Sequence, residues 1–151
     1  MAKTFKGGIH PPERKELAKD KPLEAFPAPS ELVLYVSQHI GAPAQPVVKK
    51  GDTVRKGQVL AEAGGFVSAH VHAPVSGTVR AVEPHPHPLG QRVRAVFLSN
   101  DGAHAWAEGL NEEREEADLT AEEIRTEIQE AGIVGLGGAT FPTHVKLSPM
   151  E

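Results

Sequence analysis

Short apolar runs separated by turn residues dominate the middle of the chain. ELVLYVSQH reads as a buried strand, QPVVKKGDTVRKGQVLAEA as two short strands around a turn, and APVSGTVRAVEP and QRVRAVFLS as one strand each. In the second run Gly51 and Gly57 suit turns, whereas Val54, Val59 and Leu60 are expected to face the core. The pattern therefore predicts a small β sandwich or barrel.

A helical period follows in the acidic part of the chain. Thr120 and Glu123 fit a capping box, and Gly132 stands where a left-handed residue is expected to end the helix. Ile124 and Ile128 share a narrow apolar face between glutamates. These signals predict one amphipathic helix of about three turns.

The first thirty residues, 1–30, are rich in proline and charge and lack a sustained apolar period. They predict an extended arm that wraps a neighbouring surface, with disorder as an equally weighted alternative. The few apolar anchors of such an arm would be Ile9, Leu17, Leu23 and Phe26.

Composition agrees with a mainly β protein that also contains some α structure. Hydrophobic residues make up 39% of the chain and charged residues 24%, with 15 glycines and 13 prolines. The absence of cysteine excludes disulfides, thiolate chemistry and cysteine-bound zinc or iron–sulfur clusters within this chain. No apolar run approaches the roughly 20 residues that span a bilayer, so a cytoplasmic location is expected.

The formal net charge of −4 comes from one segment. Residues 111–130 carry nine acidic and two basic side chains, whereas basic residues outnumber acidic ones in the rest of the chain. Those basic residues are scattered, and the pairs Lys49-Lys50 and Arg55-Lys56 are the densest. A nucleic-acid-binding function is therefore disfavoured, because it needs a concentrated basic face.

The most unusual stretch is GIVGLGGATFPTHVKLS, residues 132–148, which has four glycines within seven positions. It follows a helix rather than a strand and lacks the P-loop order, so neither nucleotide fingerprint fits. The main-chain NH groups of Gly135–Ala139 can instead form an anion-binding nest. Pro142 suits the first turn of a second helix, and Lys146 adds a positive charge. A tight turn between helices would explain only one or two of the glycines.

Two histidine pairs invite a metal hypothesis. His70 and His72 would share one face of a strand, as would His85 and His87, and Glu83 could complete a weak zinc site. Histidines spaced by prolines are more often solvent-facing, and no third ligand is defined. Neither a metal site nor a catalytic residue is therefore predicted.

VVKKGDTVRKGQVLAEA followed by HAPVSGTVRAV resembles the barrel-sandwich hybrid of biotinyl and lipoyl carrier domains. In those domains a hairpin between the two halves presents a lysine for covalent attachment. The corresponding segment here, GGFVSAHVH at residues 64–72, contains no lysine. A carrier function is therefore disfavoured, and the segment is expected to serve as structure or as a docking surface.

GGIHPP, SQHIGAP and GIVGLGGATFPTHVKL resemble, in the same order, the N-terminal part of the C subunit of the Rnf complex, the membrane-associated ion-translocating ferredoxin:NAD oxidoreductase. The last motif is also similar to the flavin-binding glycine loop in the NADH-oxidising subunit of respiratory complex I. The resemblance implies an electron-transport subunit, peripheral on the inner face of the cell membrane, that binds FMN and NADH. It would pass electrons between NAD(H) and iron–sulfur centres or ferredoxin, together with the other subunits of the complex.

The resemblance assigns cofactor contacts to six residues: Gly135, Gly137, Gly138, Ala139, Phe141 and Lys146. The four small residues would lie against the flavin or its phosphate, the phenylalanine would pack nearby, and the lysine would face the phosphate. It also implies that the remaining flavin fold and the cysteine ligands of 4Fe-4S clusters belong to a portion that is missing here. A truncated, inactive piece with a partial FMN and NADH site is therefore expected.

These observations predict three regions. They are an arm (1–30), a barrel-sandwich hybrid domain (31–105), and an acidic helix with a glycine loop (106–151) that opens an α/β flavin- and NADH-binding domain. Trp106 is expected to anchor the barrel to the acidic segment, and residues 132–151 are expected to be loose. The alternative function is a non-catalytic docking module that uses the barrel and the arm to hold partner subunits.

Overall fold

The computed structural model describes residues 11–110 and 119–149, and it is mainly β with two short α-helices and one turn of 3-10 helix in the arm (Lys15–Leu17). The elements are β1 (Glu31–Tyr35), β2 (Gln45–Pro46), β3 (Thr53–Val54), β4 (Val59–Glu62), β5 (Val71–His72), β6 (Gly77–Pro86), β7 (Arg92–Asn100), α1 (Ala121–Glu130) and α2 (Thr143–Lys146). The predicted small β domain is therefore confirmed. The expected α/β flavin domain is not present among the described residues, and the three domain boundaries stay predictions.

The strands form two antiparallel sheets, which together are called the barrel below. One sheet has the order β1-β7-β6-β3, and the other has the order β2-β4-β5. The hairpin of β6 and β7 is the longest pairing, running from Gly77 opposite Asn100 to Pro86 opposite Arg92. This hairpin and β1 confirm three of the predicted strands.

The run QPVVKKGDTVRKGQVLAEA contains three strands rather than the two predicted. Strand β2 pairs with β4 in one sheet, whereas β3 pairs with β6 in the other. Between β2 and β3, Gly51 adopts a left-handed φ of 95°, and its NH group donates to Val79 O at 2.8 Å. The chain therefore changes sheets at this turn, which local periodicity does not reveal.

Buried apolar side chains from both sheets form two adjoining clusters. The larger contains Val54, Leu60, Ala73, Val75, Val79, Val96 and Leu98, and the smaller contains Val36, Ala44, Ala61 and Val71. Val54 and Leu60 are buried as predicted, whereas Val59 is half-buried. Most of the stabilising apolar burial therefore lies in the barrel.

Strand β1 differs from the fully buried strand that its sequence predicts. It pairs with β7 on one side only, so it lies at the edge of its sheet. Leu32 and Leu34 pack against the core, but Val33 between them is 38% exposed. An edge strand that covers one face of a core alternates between buried and exposed positions.

The apolar side chains predicted to anchor the arm are not buried against the rest of this chain. Residues 11–30 are exposed throughout, including Leu17, Leu23 and Phe26, and Ile9 lies outside the described residues. The arm is held at its end, where Asn100 donates from its backbone to Ser30 and from its side chain to Pro29. Its apolar side chains therefore face solvent.

Helix α1 confirms the predicted capping signals. Thr120 Oγ1 accepts a hydrogen bond from Glu123 N at 3.3 Å, and the Glu123 carboxylate accepts one from Thr120 N at 2.7 Å. The predicted apolar stripe is only partly covered, since Ile124 is 43% exposed. Within residues 11–110 and 119–149 no helix has the length and apolar character that a membrane crossing requires.

Trp106 contacts the barrel as predicted. Its neighbours Ala105 and Ala107 form backbone hydrogen bonds with Lys56, and the Lys56 ammonium lies 4.3 Å from the indole centroid. The first part of the acidic segment that follows, residues 111–118, lies outside the described residues. The contact on the barrel side is therefore the part of the prediction that is confirmed.

Candidate functional site

Helix α1 ends at Glu130, and Gly132 just beyond it brings the chain onto the barrel. Gly132 has φ 67°, and the NH groups of Gly132 and Ile133 donate to Gln129 O and Ile128 O, which is the Schellman pattern. A Cβ on Gly132 would lie 2.5 Å from His70 O. Conformation and packing therefore both require glycine here.

Beyond Gly132 the chain folds back on itself as a tight hairpin. Gly135 N donates to Phe141 O at 2.9 Å, and Thr143 N donates to Ile133 O at 3.0 Å. Residues 135–140 form the tip of this hairpin and are called the glycine loop below. The loop is therefore closed by its own main chain.

The tip of the glycine loop is open. Among the described residues, the main-chain NH groups of positions 136–139 have no hydrogen-bond partner. A Cβ on Gly137 or Gly138 would meet nothing within 4 Å, and neither residue has a left-handed φ. The fold of the chain itself therefore gives no reason for glycine at these two positions.

Lys146 and Phe141 lie beside this tip. The Lys146 Nζ atom would be 2.6 Å from a Cβ on Gly135 and lies 5.9 Å from the Phe141 ring centroid. Helix α2, which carries the lysine, begins directly after Pro142, one residue later than predicted, and has four residues. The structure therefore brings together Gly135, Phe141 and Lys146, three of the six residues to which the resemblance assigned cofactor contacts, and the contacts themselves stay a prediction.

Ala139, in the tip of the glycine loop, also contacts the barrel. Its carbonyl oxygen accepts a hydrogen bond from Ile40 N at 3.2 Å. A cleft of about 450 Å³ lies beside this contact, lined by residues 37–40 and 87–89 of the barrel and by 138–140 of the glycine loop. Its volume is within the range of small-molecule sites.

The segment 64–72, which lacks the lysine of carrier domains, contacts helix α2 of the same chain, and its expected role as a docking surface stays a prediction. His144 of helix α2 is 4% exposed, and its Nε2 lies 3.0 Å from Phe66 O. Because a carbonyl can only accept, Nε2 carries the proton, and Nδ1 has no partner among the described residues. Sequence reasoning missed His144, since only its place beside Lys146 in the family-like motif pointed to it.

The expectation that residues 132–151 are loose stays a prediction. It is based on the absence of partner strands for the glycine loop. The structure nevertheless gives this segment three contacts with the barrel, through Gly132, Ala139 and His144. Amide exchange at these contacts, described below, tests the expectation.

The histidine pairs differ from each other. The rings of His70 and His72 are 6.3 Å apart, and burial, helped by repulsion from His70, lowers the pKa of His72 below its usual 6.5. Across residues 11–110 and 119–149, no three histidine or carboxylate side chains are grouped closely enough to hold a metal ion.

In the other pair, His85 lies on a strand and His87 directly follows it, in contrast to the solvent-facing loop that the prolines favour. Strand β6 extends to Pro86, and the His85 ring packs edge-on against Phe97 at 5.2 Å. The His87 ring packs against Tyr35 at 4.7 Å. The prolines between the histidines are exposed, so this stretch alternates as an ordinary strand does.

Comparison with known proteins identifies the family. A family model described as the RnfC barrel sandwich hybrid domain matches residues 3–103. The C subunit of the proton-translocating ferredoxin:NAD(+) oxidoreductase complex of Clostridium ljungdahlii is 46% identical over 149 residues, which cover 99% of this chain and 33% of the relative.

Two further relatives agree. The C subunit of the Na(+)-translocating ferredoxin:NAD(+) oxidoreductase complex of Acetobacterium woodii is 51% identical over 96% of this chain and 33% of the relative. The C subunit of the ion-translocating oxidoreductase complex of Rhodobacter capsulatus is 44% identical over 96% of this chain and 28% of the relative. The chain thus spans about a third of the length of these curated relatives. It belongs to the RnfC family, the C subunits of ion-translocating oxidoreductase complexes.

Proposed function

We propose that this chain forms one wall of an FMN- and NADH-binding site in a subunit that transfers electrons. The open NH groups of residues 136–139 and the Lys146 ammonium would hold the phosphate of FMN. The observation that supports this most strongly is that Gly137 and Gly138 have open space around them and do not have the left-handed φ that requires glycine. Glycine at such positions is explained if a ligand approaches the main chain.

The residues present fit the phosphate end of the cofactor. Successive unpartnered NH groups converge on an anion, and a lysine adds a charge that strengthens the hydrogen bonds. Phe141, beside the lysine, offers an apolar surface against which part of the flavin would pack. When bound, FMN supplies the redox chemistry, because it accepts electrons in pairs from NADH and releases them singly.

The chain provides position and electrostatics rather than the whole reaction. It contains no cysteine, so the iron–sulfur ligands of such an electron path lie outside it. The names of the relatives support membership of a complex that couples electron transfer between ferredoxin and NAD(H) to ion translocation. Within that proposal the protein is peripheral on the inner face of the membrane and binds the other subunits there.

Flavin binding is tested by titrating FMN with the chain while its fluorescence is followed, and by mapping amide shifts with NMR. We expect quenching together with shifts at residues 136–140 and Lys146. Riboflavin is the matched control, since it is the same flavin without the phosphate and should bind more weakly. Equal binding of both flavins, or shifts confined to the barrel, would contradict the proposed phosphate site.

The second candidate function is a docking module without a cofactor. It is favoured by the arm, where Leu23 and Phe26 expose nearly their whole side chains while the arm's end is fixed to β7. Exposed apolar side chains on an anchored arm are suited to a partner subunit. A Leu23→Ser/Phe26→Ser variant should lose affinity for the other subunits at unchanged stability. Unchanged affinity would exclude the arm as the docking element.

A further inference from the structure

The glycine loop is held against two loops of the barrel. The first joins β1 to β2 (36–44), and the second joins β4 to β5 (63–70). Ile40 N in the first loop donates to Ala139 O, and Phe66 O in the second accepts from His144 Nε2. The glycine hairpin is therefore fixed at its tip by one loop and at its base by the other.

The two barrel loops are also bound to each other. The Ser68 hydroxyl donates to Ala42 O at 2.8 Å, and Ala42 N donates to Val67 O at 2.9 Å. A Cβ on Gly41 would lie 2.0 Å from Val67 O, so the two main chains are in direct contact. The loops therefore act as one support.

His39 connects this support to the tip of the glycine loop. Its Nε2 lies 3.1 Å from Ala69 N and 3.2 Å from Ala69 O, and its Nδ1 lies 3.1 Å from Ile40 O. His39 is 8% exposed. The ring thus fixes the residue whose NH group holds Ala139.

His144 connects the support to the base. It lies two residues before Lys146, and its carbonyl oxygen accepts from the Ser148 hydroxyl at 3.0 Å. Its buried ring also packs edge-on against Phe66, with centroids 6.1 Å apart. The His144 side chain therefore attaches the turn of helix that carries Lys146 to the barrel.

We infer that the barrel loops hold the glycine loop in its ligand-binding shape, and that His144 is a positioning residue for the phosphate of FMN. This inference is based on the proposed function, because it assumes that the open NH groups and Lys146 share one anion. The hairpin that carries a lysine in carrier domains serves here as a support for a loop about 70 residues further along the chain. Holding the loop in place before binding lowers the entropy lost when the ligand arrives.

Two variants of the full chain test the role of His144. His144→Leu keeps an apolar side chain but removes the donor, whereas His144→Gln keeps a donor that can reach Phe66 O. Without ligand, amide exchange at Gly135 and Thr140, the two residues of the glycine loop whose NH groups are hydrogen-bonded, should become about fivefold faster in His144→Leu and stay within about twofold of wild type in His144→Gln. FMN affinity should fall by a similar factor in the first variant, while riboflavin affinity should change less.

The outcomes separate this inference from the proposed function. If His144→Leu changes neither exchange at the loop nor FMN affinity, the positioning role is wrong, although flavin binding stands. If exchange in the barrel strands accelerates as much as in the loop, His144 serves general stability and the inference fails. If wild-type protein binds no FMN, the proposed function fails, and the exchange rates still decide whether the barrel holds the loop.

A measurement on the wild-type protein covers the case in which His144→Leu does not fold. Ile40 is 49% exposed, so its amide should exchange quickly unless Ala139 O accepts from it. We expect protection of this amide at least tenfold above that of a free exposed amide. An Ile40 amide that exchanges at the free rate would overturn the inference.

Discussion

Glycine serves different purposes in the barrel and in the glycine loop. In the barrel, a Cβ on Gly41, Gly64 or Gly77 would lie 2.0, 2.2 or 1.9 Å from a backbone oxygen of a neighbouring segment. In the glycine loop, a Cβ on Gly137 or Gly138 would meet nothing within 4 Å. At these three positions the barrel thus needs glycine in order to fold, whereas folding does not need glycine at positions 137 and 138 of the loop.

Glycines that the fold requires therefore differ from glycines that a ligand would explain. Both regions read as glycine-rich turns in the sequence, and composition cannot tell them apart. Only the space around each residue shows whether the chain itself already occupies the position of the missing side chain. Substitutions at the two kinds of glycine should therefore affect different measurements.

The largest effect is expected at Gly77. Gly77→Ala would place a methyl group 1.9 Å from Ser99 O, where the backbones of β6 and β7 pair. Such a clash should lower the free energy of unfolding by about 3 kcal/mol, as measured by urea denaturation. Gly65→Ala is the matched control, since its Cβ would have an ordinary contact of 3.5 Å. A loss below about 1 kcal/mol for Gly77→Ala would contradict the steric argument.

The second effect concerns the loop glycines. A Gly137→Ala/Gly138→Ala variant should unfold within about 0.5 kcal/mol of wild type, because both methyl groups would point into open space. Its affinity for FMN should fall at least about tenfold, or 1.4 kcal/mol, because the methyl groups would obstruct the ligand. Fluorescence titration and urea denaturation measure the two quantities. If this variant loses stability but keeps its FMN affinity, Gly137 and Gly138 serve folding rather than ligand binding.

The third effect is electrostatic and concerns Lys146. Lys146→Gln removes the charge beside Gly135 while keeping most of the side-chain length. FMN affinity should fall about fivefold at low salt and by less at high salt, because salt screens this attraction. Lys50→Gln, at an exposed turn of the barrel, is the control and should have no effect. A loss that is independent of salt would show that the lysine acts through packing instead.

Local signals predicted much of the fold correctly. The capping pair Thr120 and Glu123, the helix end at Gly132 and the turns at Gly51 and Gly57 all lie where the sequence indicated. Each depends on residues within about one turn of chain, so a single sequence contains the whole reason for it. For the site, the same local reasoning singled out the glycine loop and Lys146.

Features that depend on distant partners were missed. The prolines beside His85 argued against a strand, yet β6 tolerates them because β3 pairs only with its first two residues and leaves the rest of that edge free. His144 had no local signal, since its partner Phe66 lies 78 residues away. The open space at Gly137 is likewise invisible until the surrounding chain is placed.

Gly132 has a local role, since it follows the end of helix α1, and a long-range role, since it packs on the barrel. The smallest expected effect therefore concerns the other end of helix α1, where only local contacts are involved. Hydrogen bonds from the Thr120 side chain and backbone lower the pKa of Glu123 below its usual 4.5. A lowered carboxylate pKa in the folded state contributes stability above pH 4.5, and this stability is lost as the pH falls through the lowered pKa. Helix α1 should therefore fray in this acidic window.

This fraying is measured by the pH dependence of amide exchange at the first turn of α1 and by NMR titration of the Glu123 carboxylate. Thr120→Val removes the hydroxyl at nearly constant volume, so the pKa of Glu123 should return toward 4.5. The pKa of Asp101 is lowered mainly by the Ser76 hydroxyl, and it should not respond to Thr120→Val. Because Gly132 joins this helix to the barrel, the hydrogen-bonded amides Gly135 and Thr140 of the glycine loop should keep their protection while the first turn opens. If protection from exchange is lost at the first turn of α1 and in the glycine loop at the same pH, the loop depends on the helix rather than on the barrel.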